Sequence, residues 1–121
     1  MNASIPVIAD PKVTRHILSA FHLRASKRLG QNFLVDAGVV RAIVDAADLS
    51  PADTVLEIGP GIGTLTQGLA ESGAKVTAVE LDKKLPAVLA ETLGAYDNVR
   101  VVRGDILKTD IRALMENAPF K

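Results

Sequence analysis

Residues 54–66 read TVLEIGPGIGTLT, a short apolar strand pattern that runs into glycines at 59, 61 and 63 and then into a helical pattern. No feature of the chain constrains its fold more. Glycine allows positive φ and close backbone approach at little cost, so a strand that ends in such a loop and opens a helix presents bare amides to a ligand. The same order recurs downstream. Strands are predicted at 54–58, 75–80 and 99–103, and helices at 64–72, 83–93 and 110–116, with Gly73 and Gly94 as stops, Asp82 as a cap and Pro86 in a first turn. Strands alternating with helices imply parallel neighbours joined by right-handed crossovers, hence a doubly wound α/β sheet.

Upstream of this unit the spacing of Ile17, Leu18 and Phe21 predicts a helix over 13–21, preceded by a loose tail at 1–10. A second helix follows Asp36 as N-cap and carries the stripe Val39, Val40, Ile43, Val44 and Ala47, ended by Ser50-Pro51. The expected division is an N-terminal tail and basic helical arm over 1–28, then a partial ligand-binding domain over 29–121. With three Phe, one Tyr and no Trp, the core must be aliphatic, and the absence of Cys removes disulfides, thiolate metal sites and a Cys nucleophile together. No basic-then-apolar leader and no membrane-length apolar run occurs, so a cytoplasmic location without a membrane partner is expected.

The net charge is zero, yet 11–35 holds Lys12, Arg15, His16, His22, Arg24, Lys27 and Arg28 and no Asp or Glu. Such a run is either a solvated helix face or a contact for a polyanion. The two histidines are six apart, not the four of a helical metal pair, and no metal is expected.

In a doubly wound sheet, ligands bind beyond the carboxyl ends of the strands. Gly59 and Gly61 stand at the first end, Glu80 at the second and Asp105 at the third. A carboxylate at Glu80 can accept both hydroxyls of a ribose, and Asp105 can accept the exocyclic amine of an adenine held between Leu81 and Ile106. Each acid has a helix cap as its alternative reading, and Asp82 is read as that cap. A dinucleotide loop wants its third glycine where Thr64 stands, so this loop disfavours NAD and favours S-adenosyl-L-methionine.

With these residues in view, the chain resembles the small-subunit ribosomal RNA adenine N6-dimethyltransferases and their macrolide-resistance cousins. The likeness covers 12–121 and rests on four ordered blocks: LGQNFL at 29–34, EIGPGIGTLT at 57–66, VELD at 79–82 and GDIL at 104–107. It implies a Rossmann-like methyltransferase fold in which Asn32 and Leu34 hold the methionine end of the cofactor, Gly59 and Gly61 line its middle, Glu80 binds the ribose and Asp105 the adenine. It also implies a small-subunit ribosomal RNA partner, met by Lys27 and Arg28 beside the cofactor pocket.

In that family an Asn-Leu-Pro-Tyr type segment at the end of a fourth strand holds and stacks the target base. Asn117-Ala118-Pro119-Phe120 imitates it but follows a helical pattern, and a strand is expected to begin only about there. The expectation is therefore a sheet truncated after about three strands, with no catalytic residue in this chain and no methyl transfer by it alone. The helical RNA-binding portion of the family is likewise expected to be missing, and the first strand to be an open edge prone to self-association. Two other readings stay open: a non-catalytic module binding an adenosine ligand or RNA, and an NAD-binding half-domain.

Overall fold

The computed structural model describes residues 5–24, 33 and 36–121. Helix α1 (Pro11–Ala20) and helix α2 (Ala37–Ala47) precede strand β1 (Thr54–Ile58), helix α3 (Thr64–Glu71), strand β2 (Lys75–Glu80), helix α4 (Leu85–Thr92) and strand β3 (Val99–Arg103). A 3-10 turn (Ile106–Lys108) and helix α5 (Ile111–Leu114) follow. Among the described residues the three strands form one parallel sheet in the order β1-β2-β3.

The register puts Val55, Val76 and Val99 in one row across the sheet. Because side chains alternate faces, this row meets α3 on one side, where Val55, Leu69, Ala74 and Val76 form a buried cluster. A second cluster joins Ile62, Leu85, Val88, Leu89 and Leu93 to Ile8, Ile17 and Phe33. Central β2 is buried at every position but its first, the signature of a strand covered on both faces.

The N-terminus departs from expectation. Residues 5–10 are not loose: Ile8 is 2% exposed, and its amide donates to Gln67 Oε1 at 2.8 Å. Gln67 Nε2 in turn donates to Pro6 C=O at 2.8 Å and to the Tyr96 hydroxyl at 3.0 Å, and that hydroxyl donates to Glu71 at 2.7 Å. Asp10 caps α1 by accepting from the Lys12 amide, and Pro11 occupies the first turn, so the helix starts two residues before the expected 13.

The apolar stripe of α2 divides between helix α3 and an exposed side. Val40 and Val44 sit over Gly68 of α3, where an added Cβ would come within 2.7 Å of Val40 Cγ1. Val39 and Ile43 remain 47% and 42% exposed. Asp36 caps the helix through the Val39 amide as expected, but α2 ends at Ala47, where Asp48 turns left-handed at φ 50°, before Ser50-Pro51 is reached.

The last residues differ most. Glu116 and Asn117 are both left-handed at φ 57° and reverse the chain after α5. Lys121 then pairs with the outer edge of β1: its amide donates to Thr54 C=O at 2.9 Å, and the Leu56 amide donates to its carbonyl at 2.8 Å. Its ammonium reaches the Ala47 and Asp48 carbonyls at 3.0 and 2.9 Å and Asp53 at 3.6 Å; donation from the Ser50 amide first, and the Lys121 charge after it, hold the Asp53 carboxyl below its usual range. The terminus is therefore held, and the edge of β1 is open only past Leu56. Arg100, on the sheet face opposite Val99, donates to Leu114 C=O at 3.0 Å, so the chain returns from β3 to β1 across that second face. Winding reverses beside β1, which makes its carboxyl end the switch point where ligands bind in such sheets.

Candidate cofactor site

The loop after β1 is built from three left-handed glycines, Gly59 at φ 73°, Gly61 at 61° and Gly63 at 98°. Gly59 continues the ladder by donating to Val79 C=O at 2.9 Å, and Gly63 closes a turn onto Pro60 C=O at 2.9 Å. Ile62, 1% exposed, anchors the loop in the core, while an added Cβ at Gly59 would meet nothing within 4 Å. Open space thus lies over Gly59. At Gly61 the same Cβ would stand 3.3 Å from the Phe33 ring, and at Gly63 3.1 Å from Leu93.

Glu80, 5% exposed at the end of β2, ties this loop to the next strand. Its Oε1 accepts from the Gly61 amide at 3.1 Å and its Oε2 from the Asp82 amide at 2.9 Å, while its backbone carbonyl accepts from Gly104 at 2.9 Å. Each carboxylate oxygen has two acceptor positions, so one on each is left for a ligand hydroxyl. Asp82 accepts from the Lys84 amide at 2.9 Å and so caps the turn ahead of α4, which begins two residues later than expected.

Asp105, half-buried past β3, accepts from the Leu107 amide at 2.9 Å, so its side chain performs the capping role that was its alternative reading. Leu81, 49% exposed, and half-buried Ile106 flank the same strand ends. Gly59, Gly61 and Glu80 are thus brought into one cluster, with Asp105 one strand further along. Asn32, Leu34, Lys27 and Arg28 lie outside the described residues; Phe33 between the first two is buried against Gly61. Among the described residues, no group of three or more His, Cys, Asp or Glu is placed to hold a metal, and no helix is long and apolar enough to cross a membrane.

One site residue escaped the sequence reading. Glu57, 8% exposed beneath the loop, accepts from the Thr66 hydroxyl at 2.5 Å. Burial pushes its carboxyl up to about 7, against the lowering donation from Thr66 and with the help of the nearby Glu80 charge. Its place in the EIGPG block was the available signal, since an acid on the inward-facing parity of a strand must be neutral or paired. Glu57 lines a cleft of about 490 Å³ with Phe33, Ile58, Gly59, Gly61 and Lys121.

A parallel sheet that reverses winding beside a glycine loop, with an acid at the next strand end, has the Rossmann-like methyltransferase fold. The sequence profile of the ribosomal RNA adenine dimethylase family matches residues 22–121, and the chain belongs to that family. It is 50% identical over 109 residues to the ribosomal RNA small subunit methyltransferase A of Alkaliphilus oremlandii, covering 90% of this chain and 38% of that protein. The counterpart from Geobacillus kaustophilus is 50% identical over 108 residues, covering 89% and 37%. This chain thus spans well under half the length of these relatives. Among solved structures, the 23S rRNA methyltransferase ErmE matches with a TM-score of 0.60 at 41% identity, over 64% of this chain and 32% of that one. A dimethyladenosine transferase from Plasmodium falciparum matches with a TM-score of 0.56 at 33% identity, over 61% and 28%. An RNA methyltransferase from Salinibacter ruber, solved with S-adenosyl-L-homocysteine, matches at 0.57 and 25% identity, over 64% and 53%.

Proposed function

We propose that this chain is the cofactor-binding portion of an S-adenosyl-L-methionine-dependent enzyme that dimethylates N6 of adjacent adenosines in small-subunit ribosomal RNA. The observation that carries the reading is Glu80, held on the Gly61 amide beside the open space over Gly59. The residues fit the cofactor: Glu80 for the ribose, Gly59 and Gly61 for close passage of its middle, Asp105 for the adenine, and Asn32 with Leu34 for the methionine end. The cofactor supplies an electrophilic methyl on sulfur; the chain's part is to orient it. No catalytic residue is assigned here, and cofactor binding rather than methyl transfer is the role of this chain by itself. Lys27 and Arg28 meet RNA phosphate, and the cytoplasm is the fitting compartment for a ribosomal RNA substrate.

The test is calorimetric titration with S-adenosyl-L-methionine and, separately, NAD. Heat with the first alone is expected, with affinity at least about tenfold weaker for Glu80→Gln, a loss of one charge-assisted hydrogen bond. That variant keeps an acceptor for Gly61. Equal binding of NAD, or an unaffected variant, would overturn the reading.

The open half of the β1 edge belongs to the same proposal. Past Leu56 the outward backbone groups meet no strand among the described residues, and Ile58 is 59% exposed beside them. Such an edge pairs with a second copy. Sedimentation velocity should show a concentration-dependent dimer that Ile58→Lys abolishes; a monomer at all concentrations would dismiss it.

A further inference from the structure

Helix α1 has two unlike sides. Thr14 and Ile17 are buried and Val13 and Leu18 half-buried against the core. Lys12, Arg15, His16 and Ser19 follow the i, i+3, i+4, i+7 spacing of a single helix face, and all four are exposed. Arg24, also exposed, stands beyond the helix end. Among the described residues no carboxylate forms an ion pair with Lys12, Arg15 or Arg24; the ion pair found there joins Lys121 and Asp53. Like charges one turn apart on a helix repel, and no acid on this face offsets Lys12 and Arg15.

The face is also fixed in place. Ile8 and Ile17, with half-buried Leu23, share one core cluster with Phe33 and with Ile62 of the glycine loop. The cations therefore ride on the packing that positions the cofactor loop, so at the moment of binding the backbone that carries them needs no ordering and only their side-chain rotamers are lost. No aromatic ring lies among the four face residues, whereas Trp and Tyr are prominent among the anchors of protein interfaces. Cations and a hydroxyl donor suffice for phosphate.

We propose that the outward face of α1, with Lys12 and Arg15 as its charged contacts and Arg24 beyond the helix end, is a docking strip for the phosphate backbone of single-stranded RNA. This rests on the RNA-modifying reading above and extends it from Lys27 and Arg28 to a preformed surface. The strip sets where the substrate strand lies relative to the glycine loop and carries no base specificity of its own.

The experiment is fluorescence anisotropy of the whole chain with a labelled single-stranded RNA of about 20 nucleotides, long enough to span the strip, over a series of salt concentrations. Poly-glutamate serves as competitor. The triple variant Lys12→Gln, Arg15→Gln, Arg24→Gln should bind more weakly, with the slope of log affinity against log salt reduced by about 2, since each single-strand phosphate contact contributes about 0.7. Its thermal midpoint and its S-adenosyl-L-methionine titration should match the parent's, because all three residues are exposed and outside the cofactor cluster. The proposal is overturned by an unchanged slope, by a parent chain that does not bind the RNA, or by poly-glutamate that displaces the RNA as readily as unlabelled RNA does. A separate Lys27→Gln, Arg28→Gln pair reads the arm assigned earlier, and the cofactor titration reads the cofactor assignment, so each can fail alone.

Discussion

Replacing Glu57 by glutamine should leave the pH-dependent part of stability unchanged near pH 4.5 and raise it by roughly 3 kcal/mol near pH 8. The parent carboxyl has an ordinary value of 4.5 and is lifted to about 7 in the fold, first by burial and then by the Glu80 charge, with Thr66 opposing. Below 4.5 both folded and unfolded chains hold the proton and the group contributes no penalty. Between 4.5 and 7 the folded chain keeps a proton that the unfolded chain releases, so stability falls as pH rises, and the full penalty is reached above 7. Glutamine never ionises and still offers an oxygen to the Thr66 hydroxyl. Any fixed cost of its amide cancels when variant minus parent is compared between the two pH values. Urea unfolding at both pH values measures this double difference, which corresponds to about 10 °C in midpoint for a domain of this size. A difference that stays flat with pH would mean that Glu57 is ionised in the fold.

Gln67→Ala should destabilise the chain by about 3 kcal/mol and free its N-terminal arm. The substitution leaves the Ile8 amide without its acceptor at a site 2% exposed and strips Pro6 C=O and the Tyr96 hydroxyl of their donor. The buried Ile8 amide so orphaned costs roughly 1–3 kcal/mol; exposed Pro6 and half-buried Tyr96 add less because water reaches them, and the lost glutamine entropy returns only part of the total. Burial, reinforced by donation to Glu71, holds the Tyr96 phenol above its usual range, and that donation to Glu71 remains when Gln67 is lost. Tyr96→Phe, which keeps the Ile8 and Pro6 bonds, should cost less than half as much. Trypsin cleavage after Lys12 and Arg15 reads the arm directly: it should accelerate in Gln67→Ala and barely change in Tyr96→Phe. Unaltered cleavage in Gln67→Ala would show that Ile8 and Ile17 hold the arm without the hydrogen bonds.

The strands and the glycine loop were legible because their signals are local. The 54–58, 75–80 and 99–103 runs are apolar enough to fall where predicted, and a glycine loop between strand and helix admits few conformations. Helix ends shifted where a cap lay outside the apolar period, as with Asp10 ahead of α1. Ile8 was illegible for a different reason: Ile5-Pro6-Val7-Ile8-Ala9 is apolar throughout, so no period singles out its buried members, and the burial of Ile8 depends on Gln67 and Tyr96 far along the chain. The division of the α2 stripe was equally hidden, since Val39 and Val40 are alike in sequence and only Gly68 admits the second. At the site, Gly61 and Glu80 meet as strand-end logic anticipates, whereas the Asp105 side chain turns to its own Leu107 amide. Lys121 on β1 has no pattern of its own, one residue of ladder carrying none; only the family likeness, which begins a strand about there, anticipates it.

The docked arm also fixes an order of events during synthesis. Residues 6–8 leave the ribosome well before their partner Gln67, which lies 59 residues later in the chain for Ile8 and 61 for Pro6. Tyr96, which completes the network, follows Gln67 by a further 29. At about 5–20 residues per second the arm waits several seconds before its core exists. Throughout that interval Lys12, Arg15 and Arg24 belong to an untethered segment with no acid between them, so this basic segment is made before the core that will hold it.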